Sequence, residues 1–433
     1  MSAGLTVSVV IVSRDRAQAL RRCLLGVSQL RHAPFEVVVV ADAAGRAALR
    51  GVPFAGHVKQ VAFDTANISA ARNAGVAAAA GEVIAFIDDD AVPEPTWLGY
   101  LAAAFADPSV AAAGGYVRGR NGISFQSQAA MVDGAGREVP LDLAPDGITL
   151  LTARPGRAIK TEGTNMAVRR SVLAELGGFD PRYRFFLDET DLNLRLAERG
   201  AVTALVPLAQ VHHGFAESPR RRADRAPRDL HEIGASWAVF LARHCPEEQR
   251  ARVWAEIRAR ERRRALRHMV AGRLEPRDVT RLLAGLRAGY DDGRGRLPVP
   301  LKPLPGPRDP FRPVPVRGDA RAVLLAGRVW SRRWLRAAAR AELAAGNSVT
   351  LFRFSPTALY HRLRFTDDGI WEQAGGLFGK SRRSQPLVRL WSFAGRVRAE
   401  AERQRALRGF DAAMCRKAHA DEKSSVRGKN NAQ

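Results

Sequence analysis

The stretch Ile84-Ala-Phe-Ile-Asp88-Asp89-Asp90 reads as a buried strand that runs directly into three adjacent carboxylates. The continuous apolar character of Val83–Ile87 suits a parallel strand covered on both faces. In open parallel sheets ligands bind beyond the carboxyl ends of the strands, so these acids stand where a ligand is expected. Side chains alternate along an extended backbone, which points Asp88 and Asp90 the same way. Neighbouring carboxylates repel unless a cation joins them, and Mg²⁺ commonly takes one or two carboxylates together with phosphate oxygens. The plainer alternative is a solvated acidic turn leading into Pro93 and Pro95; the buried strand and the basic background of the chain weigh against it.

Working outward, Val7–Val12, Val37–Val40 and Val58–Phe63 read as further strands, and Leu20, Leu24 and Val27 mark one apolar helix face between the first two. Short β-branched runs alternating with helical patterns predict an α/β layer fold over residues 1–245. From Pro246 to Arg296 the pattern is helical and very basic. Pro298–Pro315 is proline-rich and reads as an extended linker, closing a connecting segment at 246–318. A small βαβ-like unit is expected at 319–378, from strand Ala322–Ala326, helix Trp334–Ala345 and strand Ser348–Phe354. A basic helical tail follows at 379–433, with a polar, disordered end at Ser424–Gln433.

The chain has 433 residues and 46% hydrophobic content, enough for more than one folded unit and incompatible with wholesale disorder. Its 68 Lys+Arg against 44 Asp+Glu give a formal charge of +24, a surface that attracts polyanions. The three cysteines, Cys23, Cys245 and Cys415, are too scattered for a metal site or a disulfide framework, which fits a reducing compartment. No basic region precedes an apolar run at the N-terminus, and the apolar runs are too short to span a bilayer. The expected location is cytoplasmic. The basic remainder adds the expectation of peripheral contact with an anionic membrane at its cytoplasmic face, in preference to nucleic acid.

Several segments, in order, resemble the large family 2 of inverting glycosyltransferases, whose fold is the Rossmann-like GT-A type. Val7-Ser-Val-Val-Ile-Val-Ser13-Arg-Asp-Arg16 is similar to that family's opening strand and nucleotide-contacting turn. Ala70-Ala-Arg72-Asn73-Ala-Gly75 and Gly81–Asp90 resemble its most recognisable stretch, with a DxD-type motif. Glu162-Gly163-Thr164-Asn165-Met166 and Gly177-Gly178-Phe179-Asp180 look like its acceptor-side segment. Asp188-Glu189-Thr190-Asp191 resembles the segment that supplies the catalytic base. The resemblance covers residues 5–245 and leaves the C-terminal part unexplained.

The resemblance implies transfer of a sugar from a nucleotide-diphosphate donor to a glycan or lipid-linked acceptor, with Mn²⁺ or Mg²⁺ as cofactor. It makes Asp90 a metal ligand and puts Asp88 on the metal or the donor ribose. Ser13, Asp15, Asp42, Arg72 and Asp89 fall on the donor side, and Gly163, Thr164 and Asn165 on the acceptor side. Glu189 matches the base position, with Asp188 as the alternative. A histidine often stands near the metal in this family, and of the pair His212-His213 the first fits the motif better. Taken without the family, Asp188, Glu189 and Asp191 read first as helix N-terminal acids favoured by the dipole, and the resemblance reverses that preference. Two other functions remain open on the residues: a nucleotidyltransferase, which would need a Gly-rich phosphate loop after the first strand, and a non-catalytic basic protein that binds membrane or nucleic acid.

Overall fold

The computed structural model describes residues 4–316 and 320–410, with the backbone of Arg416 and Lys417. Two compact units emerge, one comprising residues up to Arg120 and Phe125–Val316, the other Asn121–Ser124 and the chain from residue 317 on.

The first unit opens with β1 (Val7–Ser13), α1 (Ala17–Val27), β2 (Phe35–Ala41), α2 (Ala43–Ala47), β3 (Lys59–Ala62), α3 (Ile68–Ala78) and β4 (Val83–Asp88). These strands pair in parallel in the order β4-β1-β2-β3. Their alternate residues feed two apolar layers. Val9, Ile11, Val37, Val39 and Ile87 pack with Leu20 and Leu24 of α1; Val10, Val38, Val40, Ile84 and Phe86 pack with Ala71 and Val76 of α3. Burial on both faces is why these strands are uninterrupted runs of Val and Ile and do not alternate with polar residues.

β5 (Ala91–Pro93), α4 (Trp97–Ala104) and β6 (Val110–Arg118) follow, then short strands β7 (Phe125–Ser127), β8 (Ala130–Asp133), β9 (Glu138–Pro140), β10 (Thr149–Thr152) and β11 (Arg157–Lys160). β12 (Met166–Arg169), α5 (Arg170–Glu175), α6 (Asp188–Glu198) and β13 (Val202–His213) complete the sheet. Its full order is β10-β13-β6-β12-β4-β1-β2-β3, with β12 antiparallel to both neighbours and β5 paired to the end of β13. A parallel half thus meets a mixed half at β4, as expected for a GT-A-type α/β fold, and β13 brings its last residues beside the acids that end β4.

The basic helical region forms α7 (His231–His244), α8 (Glu247–Val270) and α9 (Pro276–Gly295). α7 and α9 approach closely enough that a Cβ at Gly234 or Gly289 would meet the backbone carbonyl of Leu286 or His231. Trp254 stacks on Tyr290 at 3.9 Å between α8 and α9. Residues 298–316 are extended, as the prolines predict, yet they lie against the first unit. Leu304, Arg308 and Val314 donate backbone N–H bonds to the carbonyls of Ala174, Ala77 and Phe35, and Val314 is buried in the core. The sequence gives no sign of this because such contacts use backbone groups, which any residue type supplies.

The second unit contains β14 (Ala322–Arg328), α10 (Arg332–Ala344), β15 (Ser348–Ser355), β16 (Arg362–Phe365), β17 (Ile370–Gly376), α11 (Phe393–Arg408) and β18 (Arg416–Lys417). The sheet order is β16-β17-β15-β14-β18, parallel except for β16. Residues beyond 378 are integral to it: Val397 and Ala401 of α11 pack with Leu324, Phe352 and Phe354. The polar end at Ser424–Gln433 and Cys415 lie outside the described residues, whereas Cys23 and Cys245 are buried free thiols. Among the described residues no helix is long and apolar enough to cross a membrane.

One buried ion pair ties the extended segment to the sheet. Glu36 accepts from Ser8 Oγ and the Ala80 N–H, both at 2.6 Å, faces Lys59 Nζ at 2.9 Å, and accepts from the Arg312 N–H at 2.8 Å. Breaking a buried pair strands the partner charge, so Glu36→Ala is expected to cost about 3–5 kcal/mol in urea unfolding. Adding Lys59→Met in that background should recover part of the loss.

Candidate active site

The acids that end β4 each have a distinct set of partners, with Arg16 shared between Asp89 and Asp90. Asp89 turns inward, accepts from Ser13 Oγ at 2.6 Å and meets Arg16 at 2.7 Å. Burial pushes its pKa up to about 7, and the adjacent Asp90 and Asp88 add to this, against the pull of Arg16 and Ser13. Asp90 is equally enclosed, but burial is outweighed there. His213, Arg16 at 3.2 Å and the Ala216 N–H at 2.7 Å together hold it well below the usual carboxylate range. Asp88 keeps a half-buried side chain and faces Arg72 at 3.3 Å.

The histidine beside these acids is His213, the neighbour of the expected His212. His213 Nε2 lies 3.1 Å from Asp90 Oδ1, and its Nδ1 lies 3.0 Å from Gln126 Oε1. His212 is on the opposite face of β13, with Nε2 2.7 Å from Glu94 Oε1. The register explains this placement: His213 pairs with Ala91 and His212 with Val92, and successive residues of a strand point to opposite faces. Burial alone would lower the His213 pKa, but the hydrogen bond and charge of Asp90 raise it. Asp88, Asp90 and His213 each bring one ligand atom, all within 4.8 Å of one another. Two carboxylates and an imidazole suit a divalent ion such as Mn²⁺, so the residues fit the expected cofactor.

A second group of charges converges from α3 and α6. Arg72 forms an ion pair with Asp188, contacts Asp88, and donates to the Gly163 carbonyl at 3.1 Å. A Cβ on Gly163 would lie 2.6 Å from the guanidinium, so glycine is what lets Arg72 pass. Asp188 is fully enclosed; burial raises its pKa to about 7 despite Arg72, with Glu189 adding to the rise. Glu189 accepts from Thr190 Oγ1 at 3.0 Å and has Lys160 Nζ at 3.7 Å. The approach to this helix is strained: Phe186 and Leu187 have φ of 72° and 66°, where side chains with a Cβ are uncommon.

The other expected residues, apart from Asp15, take internal positions. Asp42 caps α2 through Gly45 N–H at 2.6 Å and accepts from the Asp15 N–H at 2.7 Å, holding the turn after β1. Asp15, at φ 59°, stays on the surface of that turn. Asn165 is wholly buried; it accepts from Trp97 Nε1 at 2.7 Å and donates to the Tyr116 and Ala209 carbonyls at 3.0 and 2.8 Å. Thr164 is buried between Gly163 and Asn165. Sequence reasoning alone leaves out Arg16, Lys160 and His213. Arg16 closes the opening motif and His213 adjoins the chosen residue, so both were within reach. Lys160 had no signal beyond standing two residues before Glu162, with which it pairs at 3.3 Å.

Behind α6, Asp191 holds the helix in place. It bonds Arg195 at 2.7 Å and His244 at 2.9 Å, and Arg243 lies 3.5 Å away. Burial would raise its pKa, but Arg195, the hydrogen bond from His244 and Arg243 bring it down to about 2. A depressed folded-state value means stability that is present above the unfolded value near 3.8 and lost as pH falls through about 2. Asp191→Asn should therefore cost about 2–3 kcal/mol at neutral pH, measured by denaturant unfolding, and the gap to the unsubstituted chain should close as the pH approaches 2.

The profile of the family described as Glycosyltransferase like family 2 matches residues 3–230. The pre-mycofactocin glycosyltransferase of Mycobacterium tuberculosis (strain ATCC 25618 / H37Rv) is 30% identical over 216 residues, 48% of this chain and 42% of that protein. The O-antigen biosynthesis protein RfbC of Myxococcus xanthus is 28% identical over 241 residues, 51% of this chain and 18% of that protein. The chain thus spans less than half the length of these relatives. A mannosyltransferase from Pyrobaculum calidifontis, solved with GDP-Man and Mn²⁺, is a distant likeness at 19% identity and a TM-score of 0.41, over 68% of this chain and 89% of that one. With its family profile matched over more than half of its length, this chain belongs to glycosyltransferase-like family 2.

Proposed function

We propose that the chain transfers a sugar from a nucleotide-diphosphate sugar to an acceptor hydroxyl, with inversion at the anomeric carbon. The observation that carries this reading is the pairing of Asp88, Asp90 and His213 with Arg72, Asp188 and Glu189 beside the end of β4. Asp88, Asp90 and His213 would hold Mn²⁺ or Mg²⁺, the imidazole favouring Mn²⁺. Such an ion, when bound, neutralises charge that collects on a leaving diphosphate.

The chain's own residues account for the rest. Asp188 is committed to Arg72, so Glu189 is the carboxylate left to take the proton from the acceptor hydroxyl as its oxygen attacks. Lys160 orients Glu189 from the side. Arg72, held by Asp188 and the Gly163 carbonyl, presents its charge to the donor beside Asp88. Gly163 and Thr164 border the acceptor side, and Asp15 and Arg16 the nucleotide side. The catalytic part is the GT-A-type domain of residues 1–245, which the helices and the extended stretch of 246–316 buttress. Names of relatives, an O-antigen biosynthesis protein and an N-acetylglucosaminyl-diphospho-decaprenol L-rhamnosyltransferase, support a glycan or lipid-linked acceptor in surface polysaccharide or glycolipid synthesis. The free thiols support a cytoplasmic setting.

Calorimetric titration of UDP, GDP and dTDP, with and without Mn²⁺, tests the donor site. One nucleotide should bind in a metal-dependent way, and Asp90→Ala should abolish that dependence. No binding of any of the three under either condition would remove the basis of the proposal. Once a donor is found, Glu189→Gln should lower kcat roughly 10²–10⁴-fold while leaving nucleotide affinity unchanged; an unaffected kcat would shift the role to Asp188.

A further inference from the structure

The second unit segregates its surface by chemistry. Among its described residues the exposed large apolar side chains, Trp330, Trp334, Leu359, Tyr360, Leu387, Val388 and Leu390, follow the carboxyl ends of parallel strands β14, β15 and β17. Leu390 is 85% exposed and Trp330 70%, values far from those of a side chain that packs against its own fold. The loops that carry these residues form one rim. The Gly376 N–H bonds the Leu359 carbonyl at 2.9 Å, the Phe378 N–H bonds the Thr357 carbonyl at 3.0 Å, and the Arg389 N–H bonds the Phe378 carbonyl at 2.9 Å. Arg328, at the end of β14, lies 4.5 Å from the Phe393 ring that begins α11.

The charge on this rim has one sign. Residues 328–333, 355–361 and 376–392 contain seven Lys+Arg and no Asp or Glu. Among the described residues the acids of the unit sit elsewhere, and Glu402, exposed further along α11, pairs with Arg405 at 3.1 Å. Asp367 and Asp368 lie in the turn before β17, at the other end of the sheet, and Glu342 ends α10 at that same end. Glu372 and Glu400 are buried and paired with arginines. Exposed Trp, Tyr and Leu among Arg and Lys is the composition that lies at a lipid–water interface: the rings and aliphatic tips enter the headgroup layer, and the cations meet anionic lipid. A protein partner matched to the apolar tips alone would not require every charge around them to be positive.

We propose that this rim docks on an anionic bilayer surface, with Trp330, Tyr360 and Leu390 entering the headgroup layer and Arg332, Arg333 and Arg382 facing lipid phosphates. This goes beyond the transferase reading and does not depend on it.

Flotation of the full chain with vesicles of equal parts phosphatidylglycerol and phosphatidylcholine, and of phosphatidylcholine alone, tests the proposal. Binding is expected only to the anionic vesicles. Replacing Arg332, Arg333 and Arg382 with Gln should weaken it roughly 100-fold. Trp330→Ser with Tyr360→Ser and Leu390→Ser should also release the chain, whereas Gln at Arg262, Arg263 and Arg267 on α8 should leave binding intact. Circular dichroism identifies a variant that does not fold, and the other rim variant then carries the test. No flotation on anionic vesicles would overturn the proposal. So would equal binding to phosphatidylcholine alone, or loss through the α8 substitutions with the rim variants unaffected. Rim variants that change the oligomeric state in light scattering without altering flotation would assign the rim to contact between copies, and also overturn it.

Discussion

Adjacent carboxylates at the end of a buried strand cannot stay charged together without help, and the site is built around that constraint. Each acid at the end of β4 has its own answer. Asp89 turns inward to Ser13 and Arg16, Asp90 is gripped by His213, Arg16 and the Ala216 N–H, and Asp88 remains partly open beside Arg72. These partners come from β1 and its following turn, from α3 and from the far end of β13. The sheet order is what brings them together, since β13 joins the mixed half of the sheet and returns through β5 to the acids. Arg72 then passes the same constraint on to α6, where Asp188 balances it and two left-handed residues set the helix start.

Much of this was legible in the residues because it is local. Uninterrupted Val and Ile runs identify strands buried on both faces, and an acid cluster after such a run marks the ligand end of a sheet. What the sequence could not give was register. Two adjacent histidines differ only in which face of β13 they occupy, and that depends on Val92 and Ala91 standing opposite them. Lys160 is a further case, because its pairing with Glu189 depends on β11 lying against α6. The extended segment at 298–316 reads as a linker by composition, yet its backbone hydrogen bonds reach Phe35, Ala77 and Ala174. Some residues that match family positions prove to serve the fold first: Asp42 caps a helix and Asn165 spends its amide on two carbonyls and an indole.

Family membership favours the transferase reading over the nucleotidyltransferase and non-catalytic alternatives, and it leaves the second unit unaccounted for. That unit has its own parallel sheet and its own core, and it gathers exposed apolar and basic side chains at one end. The overall charge of +24 is therefore not spread evenly in its effects. On α8 it forms a solvated face over Val253, Ile257 and Ala265, whereas on the second unit it surrounds tryptophan and leucine.

The proposed ligands of one divalent ion, Asp88, Asp90 and His213, can be tested directly. Pulsed electron paramagnetic resonance of bound Mn²⁺ reads an imidazole ligand directly, through the coupling of its nitrogen nucleus to the metal. The account predicts a nitrogen coupling in the unsubstituted chain that persists in His212→Ala and disappears in His213→Ala. A coupling that survives His213→Ala, or that is lost with His212→Ala while His213 is intact, would contradict it.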